Sequence, residues 1–254
     1  MLTPKYLYRY CAWNDRAKLL LLRNAFYLPS PIDFNDPFDC LTPIEVKVNA
    51  RVLKRAAAQW SSHLKQRLGT GAYVVPTRNI VKAAIDGLCF DYNEFIRDVK
   101  SAAKVLCFTE VRNNLLMWSH YAAGHTGICL RMRISDTGPL AMVQNVQYSN
   151  VLPHLNPRKH TEKDILFAAT LSKSKQWIYE KEWRLVLPNH RDTELPFPAS
   201  DLVAVIIGCR MGSTAKRELF SILAERKTPI TLFESRMDRY RYGITIEGLA
   251  RITD

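Results

Sequence analysis

Apolar and polar positions along the chain alternate in short blocks of period two and longer blocks of period three to four, separated by turn formers. Tyr6-Leu-Tyr-Arg-Tyr10 predicts an opening strand. Asn14 or Asp15 is placed to cap a helix through Arg16 to Arg23, because an Asx side chain accepts the unpaired N–H groups of a first turn. Ala25 to Leu28 predicts a second strand, closed by Pro29-Ser-Pro31. The segment Asp33-Phe-Asn-Asp-Pro-Phe-Asp39 is dense in turn residues, and Pro37 disfavours helix at Asp36.

Between Ala50 and Leu68, the apolar residues Leu53, Ala57, Trp60 and Leu64 recur at helical spacing, and Gly69-Thr-Gly71 interrupts them. Ile80 to Leu88 and Tyr92 to Ala103 continue the pattern, which predicts a helical insertion at about 50–104 between two halves of a sheet. Val105 to Thr109 then reads as a buried strand, and Leu115 to Ala123 as a helix stopped by Gly124. Gly127 to Arg133 and Met142 to Tyr148 predict strands, Lys163 to Lys173 a helix, and Ile178 to Leu187 a half-buried strand. Leu202 to Gly208 predicts a buried strand, Thr214 to Arg226 an amphipathic helix, Ile230 to Phe233 a core strand, and Tyr240 to Ile252 an edge strand. With no internal repeat, residues 1–254 read as a single domain. The class is α+β, with strands grouped around helices rather than laid out as regular βαβ units.

Composition narrows this picture. Apolar residues make up 47% of the chain, which suits a packed core and argues against disorder. No apolar run approaches the roughly 18–20 residues of a membrane span. The opening residues carry no charged-then-apolar leader, so a soluble, cytoplasmic protein without membrane association is expected. Six cysteines lie scattered without a CxxC pair, and six histidines form no HExxH or His/Cys cluster. Free thiols in a reducing compartment and no metal site are the expectation. The charge is more informative: 36 basic against 24 acidic residues leave +12, which predicts a polyanionic partner such as nucleic acid, an acidic protein or nucleotide phosphates.

Polar residues stand beside aromatic ones at Tyr8-Arg9-Tyr10, Asn35-Asp36-Pro37-Phe38-Asp39, Trp118-Ser119-His120-Tyr121 and Glu180-Lys181-Glu182-Trp183-Arg184. On a strand through the last block, period two puts Glu180, Glu182 and Arg184 on one face. Two carboxylates two residues apart lie roughly 7 Å from each other, close enough to act on one substrate. Their repulsion raises one pKa while Arg184 lowers it. The same arrangement also fits a solvated strand face with an internal Glu–Arg pair. In the helical block, His120 is suited to orient a ribose or phosphate, and Trp118 or Tyr121 to stack on a flat ring. A core aromatic cluster with a bonded histidine fits those residues equally. No Ser-His-Asp order, GxSxG, P-loop or GxGxxG is present, which disfavours a simple hydrolase triad or a Rossmann dehydrogenase.

The blocks Leu7-Tyr-Arg-Tyr, Phe34-Asn-Asp-Pro-Phe-Asp, Val105-Leu-Cys-Phe-Thr-Glu, Met117-Trp-Ser-His-Tyr-Ala with Gly127-Ile-Cys-Leu, and Trp177-Ile-Tyr-Glu-Lys-Glu-Trp-Arg together resemble the bacterial domain-of-unknown-function family 2971. That resemblance names no reaction. A weaker one is to the ADP-ribosyltransferase fold, which implies a split central β-sheet. There Arg9, with Tyr8, stands at the first-strand motif, Thr109 at the second, and Glu180-Lys-Glu182 at the Glu-x-Glu of the third. The resemblance implies NAD as substrate, with Glu182 stabilising the ribose cation and Glu180 activating the acceptor. Arg9 would meet the pyrophosphate, and Tyr8, Thr109, Trp118, His120 and Tyr121 would line the cofactor pocket. Asn35, Asp36 and Arg184 are candidates for substrate or loop contacts. A nucleic acid (RNA or DNA) or protein acceptor, a role as bacterial toxin or phage-defence effector, and an antitoxin or other defence partner follow from the same resemblance. Two alternatives stay open: a non-catalytic nucleic-acid-binding or sensor module of a defence system, and a metal-dependent nuclease using Asp36, Asp39, Glu180 and Glu182.

Overall fold

The alternation of Leu7, Arg9 and Cys11 against Tyr8 and Tyr10 builds a strand whose two faces both meet apolar neighbours. A computed structural model describes residues 4–40, 103–153, 162–188 and 190–252. In it β1 (Tyr6–Cys11) lies inside an eight-stranded sheet. The other strands are β2 (Ala25–Tyr27), β3 (Lys104–Thr109), β4 (Ile128–Arg133), β5 (Gln144–Asn145), β6 (Gln147–Ser149), β7 (Ser172–Ser174), β8 (Glu182–Leu187), β9 (Glu194–Pro196), β10 (Leu202–Ile207), β11 (Ile230–Met237) and β12 (Ile244–Ile252). The large sheet has the order β12-β11-β10-β4-β1-β3-β8-β5, and β2 with β9 and β6 with β7 form two small ribbons. Pairing in the large sheet is antiparallel except between β10 and β11, so the fold is mixed α+β around a mostly antiparallel sheet.

Among the described residues, four helices cover the sheet: α1 (Asp15–Arg23), α2 (Leu115–Tyr121), α3 (Glu162–Thr170) and α4 (Ser213–Ala224). Asn14 caps α1 by accepting from the Ala17 N–H, and Asn114 caps α2 through the Leu116 and Met117 N–H groups. Leu20 and Leu21 of α1 and Leu219 and Leu223 of α4 share one core with Leu106, Leu130 and Leu185 of the sheet. On the opposite face, Met117 and Trp118 of α2 pack on Tyr8 and Tyr10. Leu166 of α3 packs on Val105 and Val186 further along that face.

One junction in the large sheet is sparsely paired. β1 and β3 are neighbours, yet they share a single paired position, Tyr8 opposite Thr109. Beyond it the Cys107 carbonyl accepts from the Arg9 guanidinium at 2.8 Å instead of a strand partner. A side chain thus closes the ladder where backbone does not.

Several expected elements differ. The helix expected through Lys173 ends at Thr170, and Lys173 lies on β7, whose parallel pairing with β6 takes up the polar Ser-Lys-Ser stretch. The strand expected from Ile178 begins only at Glu182: residues Lys175–Glu180 form a 3-10 turn, and Lys181 reverses the chain in the left-handed region (φ 43°). Met142 to Tyr148 is not one strand but β5 and β6, because Val146 still bonds β8 through the Glu182 carbonyl at 2.9 Å while the next N–H, of Gln147, turns to the Leu171 carbonyl at 2.7 Å. α2 ends before Gly124, and Ala123, Gly124 and His125 all have positive φ. Of the helical insertion expected at about 50–104, residues 50–102 lie outside the described residues, and Lys104 opens β3. Among the described residues, no helix is long and apolar enough to cross a membrane.

Candidate functional site

Register brings three candidate residues side by side. Tyr8 on β1 faces Thr109 on β3, and Thr109 faces Glu182 on β8. A cavity of ≈ 190 Å³ opens over them. Tyr8, Arg9, Tyr10, Phe34, Asn35, Asp39, Thr109, Tyr121, Lys173, Glu180 and Glu182 are among its lining residues.

Five charged side chains form the floor, all nearly sealed from solvent: Asp39, Lys173, Glu180, Glu182 and Arg184. Arg184, fully buried, spends all five of its N–H donors. Its Nε and Nη2 donate to Glu182 Oε1 and Oε2 at 2.7 and 2.8 Å. Nη1 and Nη2 donate to Asp39 Oδ1 and Oδ2 at 2.8 and 2.6 Å, and Nη1 also donates to the Thr170 carbonyl at 2.6 Å. The planar fork therefore clamps two carboxylates at once, which an ammonium has no geometry to do. Lys173 Nζ donates to Glu180 Oε2 at 2.5 Å and to Glu182 Oε2 at 3.0 Å, and stands 3.4 Å from Asp39 Oδ2.

The two glutamates differ in environment. Burial works to raise Glu182, but Arg184 and Lys173 outweigh it and hold the carboxyl at about 2, so it is ionised at any ordinary pH. Burial also raises Glu180, where Lys173 opposes and Glu182 reinforces the effect, and the net shift is upward from the usual carboxylate value. Three carboxyls face two cations, and of the two glutamates Glu180 is the one that more readily keeps a proton. Its Oε1 accepts from the Tyr121 hydroxyl at 2.7 Å. Burial followed by Glu180 raises that phenol, so Tyr121 stays a donor. For Lys173, burial acts to lower the ammonium, yet Glu182, Asp39 and Glu180 prevail and keep it charged.

Local structure aims these groups. The left-handed Lys181 turns the chain between the 3-10 segment and β8, so Glu180 and Glu182 meet the same Lys173 although only Glu182 belongs to the strand. Thr109 Oγ1 donates to the Glu180 carbonyl at 2.5 Å and accepts from the Val111 N–H, tying the end of β3 to that turn. Tyr148 holds the other side through its hydroxyl, which accepts from the Glu182 N–H at 2.9 Å.

Of the residues expected from the sequence, Tyr8, Arg9, Asn35, Thr109, Tyr121, Glu180 and Glu182 meet at this cavity, and Arg184 lies directly beneath it. Trp118, His120 and Asp36 stand apart. Trp118 is fully buried in the core under α2, its indole N–H donating to the Arg112 carbonyl and its ring edge-on to Tyr10. His120 is exposed, with Nδ1 3.4 Å from the Tyr179 hydroxyl and its ring near Trp177. Asp36 accepts from the Phe38 N–H and borders a second cavity of ≈ 550 Å³, which Lys173 also touches. Lys173 belongs to none of the polar-aromatic blocks that mark candidate residues in the sequence, whereas Asp39 closes one of them. Lys173 sits in an unremarkable Ser-Lys-Ser stretch, and only long-range packing gives it three carboxylates.

The expected metal-nuclease ligands have a different arrangement from the one that reading needs. Asp39, Glu180 and Glu182 are bridged by Lys173 and Arg184, and Asp36 is turned to its own loop. Among the described residues, no group of three or more His, Cys, Asp or Glu is placed to hold a metal ion.

Fold and site define an α+β protein with a small cavity over a buried carboxylate–cation cluster. The family described as protein of unknown function (DUF2971) has a model that matches residues 117–185, from α2 through most of β8, and this supports the family assignment read from the sequence. No curated protein and no solved structure matches the chain.

Proposed function

We propose that the cavity binds the reacting end of NAD and that the chain is an ADP-ribosyltransferase-like enzyme, acting as a bacterial toxin or phage-defence effector. The observation that carries the reading is the meeting of Arg9, Thr109 and both glutamates at one cavity, where β1 and β3 part after a single paired position. The resemblance to the ADP-ribosyltransferase fold implies a split central sheet, and the weak pairing of β1 with β3 is the feature that this reading builds on. The cavity is smaller than the roughly 300–1,000 Å³ of pockets for drug-sized ligands, so it suits a ring and a sugar while the rest of a dinucleotide lies outside.

The chemistry fits the unequal carboxyls. As the C1′–N bond of NAD breaks, its electron pair leaves with nicotinamide and positive charge develops on the ribose. Glu182, fixed and ionised, is a preorganised negative charge for that cation. The acceptor then forms a bond to C1′ and gives up its proton, which Glu180, poised with a raised pKa, takes as general base. Arg9 is suited to the cofactor phosphates as a planar cation, and Tyr121 keeps Glu180 oriented. The +12 balance favours approach of NAD and of a polyanionic acceptor.

Release of nicotinamide from NAD, followed by chromatography, tests this. Glu182→Gln is expected to lower the rate by about 10²–10³, in the range of a lost electrostatic stabiliser. Since that substitution also loosens a buried ion pair, Arg9→Gln on the cavity wall is the companion variant, expected to weaken the rise in melting temperature that NAD produces. No nicotinamide release with protein, RNA or DNA acceptors, or an unchanged rate in Glu182→Gln, overturns the proposal.

A further inference from the structure

The connection between β11 and β12 carries the sequence Asp238-Arg-Tyr-Arg-Tyr-Gly243, in which two arginines alternate with two tyrosines. Tyr240 and Tyr242 are 91% and 103% exposed, so two aromatic rings stand wholly in water on a built turn. The turn is ordered by its own ends: Asp238 Oδ1 accepts from the Tyr240 and Arg241 N–H groups at 2.8 and 3.1 Å, and the Asp238 N–H donates to the Gly243 carbonyl. Arg239 and Arg241 alternate with the rings and are exposed. Among the described residues neither has an ion-pair or hydrogen-bond partner for its guanidinium. Arg236, two residues before the tip on β11, is by contrast neutralised by Glu234 and Glu247.

Rings with both faces free, interleaved with unpaired guanidinium groups, match a chain that offers flat bases and a phosphate at every step. We propose that the loop 238–243 binds single-stranded nucleic acid, with Tyr240 and Tyr242 stacking on bases and Arg239 and Arg241 on phosphates. A duplex keeps its bases stacked on one another and offers the tyrosines nothing, so the preference is for single strands. An acidic protein would satisfy the arginines and leave both rings in water.

The tip also has a useful position. Ile244, the first residue of β12 after it, is buried in the same apolar cluster as Tyr8, Tyr10 and Met117, all of which line the candidate cavity. The base of the loop therefore packs on the cavity's face of the sheet, at the edge four strands from β1. The role of a bound single strand as acceptor rests on the transferase reading, whereas the binding itself does not.

Fluorescence anisotropy with labelled oligo-dT and oligo-U of about 15 nucleotides, against a mixed-sequence duplex, reads the interaction. Tyr240→Ala with Tyr242→Ala is expected to cost at least about tenfold in single-strand affinity and to leave duplex binding unchanged. Arg239→Ala with Arg241→Ala is expected to lower the slope of log affinity against log salt by about 1.4, two phosphate contacts at about 0.7 each. All four side chains are exposed, so melting temperatures should match the parent and NAD turnover without acceptor should be unaltered. Absence of oligonucleotide binding at low salt overturns the inference. So does an unchanged affinity in the tyrosine pair, or tighter binding of polyglutamate than of oligo-dT at equal salt. Intact single-strand binding with no NAD turnover would instead sink the transferase reading and leave this one standing.

Discussion

Glu180 and Glu182 are separated by one residue and behave as different acids, and the cause is the company each keeps. Glu182 lies in the grip of Arg184 and Lys173, while Glu180 has Lys173, a phenol and its own burial. Opposite pH dependences of stability follow. Between the ordinary carboxyl value of 4.5 and about 2, the unfolded chain takes up a proton at Glu182 that the native state refuses, so stability rises with pH across that window and is lost as pH falls through it. Above 4.5 the native state keeps a proton on Glu180 that the unfolded chain has released, so stability declines as pH climbs toward the raised native value. The pair by itself places a maximum near 4.5. Glu180→Gln should abolish the declining limb and spare the rising one, read from urea midpoints between about pH 2 and about pH 8. A declining limb that persists in the variant would assign it to another group. Such a split between neighbouring carboxyls is also how one site obtains a fixed charge and a proton carrier. None of it follows from the Glu-Lys-Glu spelling alone, which is equally that of a solvated strand.

Among the elements, the turns between strands decide more than the strands do. Gly127 and Gly208 sit where α2, β4 and β10 converge. A Cβ on Gly208 would lie 2.2 Å from the His125 carbonyl oxygen and 2.7 Å from that of Gly127, both backbone atoms unable to swing aside. Gly208→Ala should therefore destabilise the fold by about 1–3 kcal/mol in chemical denaturation. Gly248→Ala on β12, where nothing lies within 4 Å of the added carbon, should stay within about 0.5 kcal/mol of the parent. Equal effects at the two positions would contradict the close approach. Strand and helix cores were legible in the chain because periodicity is local: β1, β3, β4 and β10 and helices α1, α2 and α4 fall within a few residues of their apolar blocks. The misread stretches were those in which tertiary pairing overrode pattern. Lys173 left a helical run for β7, and Glu180 left an alternating run for a 3-10 turn, both drawn into one buried cluster.

At the scale of the whole molecule, the excess of +12 belongs almost wholly to the exterior. Inside, Asp39, Glu180 and Glu182 are nearly matched by Lys173 and Arg184, so the buried cluster takes little from that balance. Self-repulsion of that exterior is screened by salt, whereas the buried cluster is not. Raising sodium chloride from near zero to physiological strength should lift the melting temperature by about 2–4 °C, corresponding to about 1 kcal/mol for a chain of this size. A fall on adding salt would show that surface ion pairs outweigh the repulsion. The chain alone determined the α+β class, most element positions and the residue types of the site, because hydrophobic period, capping and turn chemistry act between near neighbours. Tertiary structure alone decided that Asp39 joins Arg184 and the two glutamates, and that Tyr8 and Thr109 border one cavity with them. Those outcomes depend on strand register and on contacts between segments over a hundred residues apart, for which local sequence carries no term.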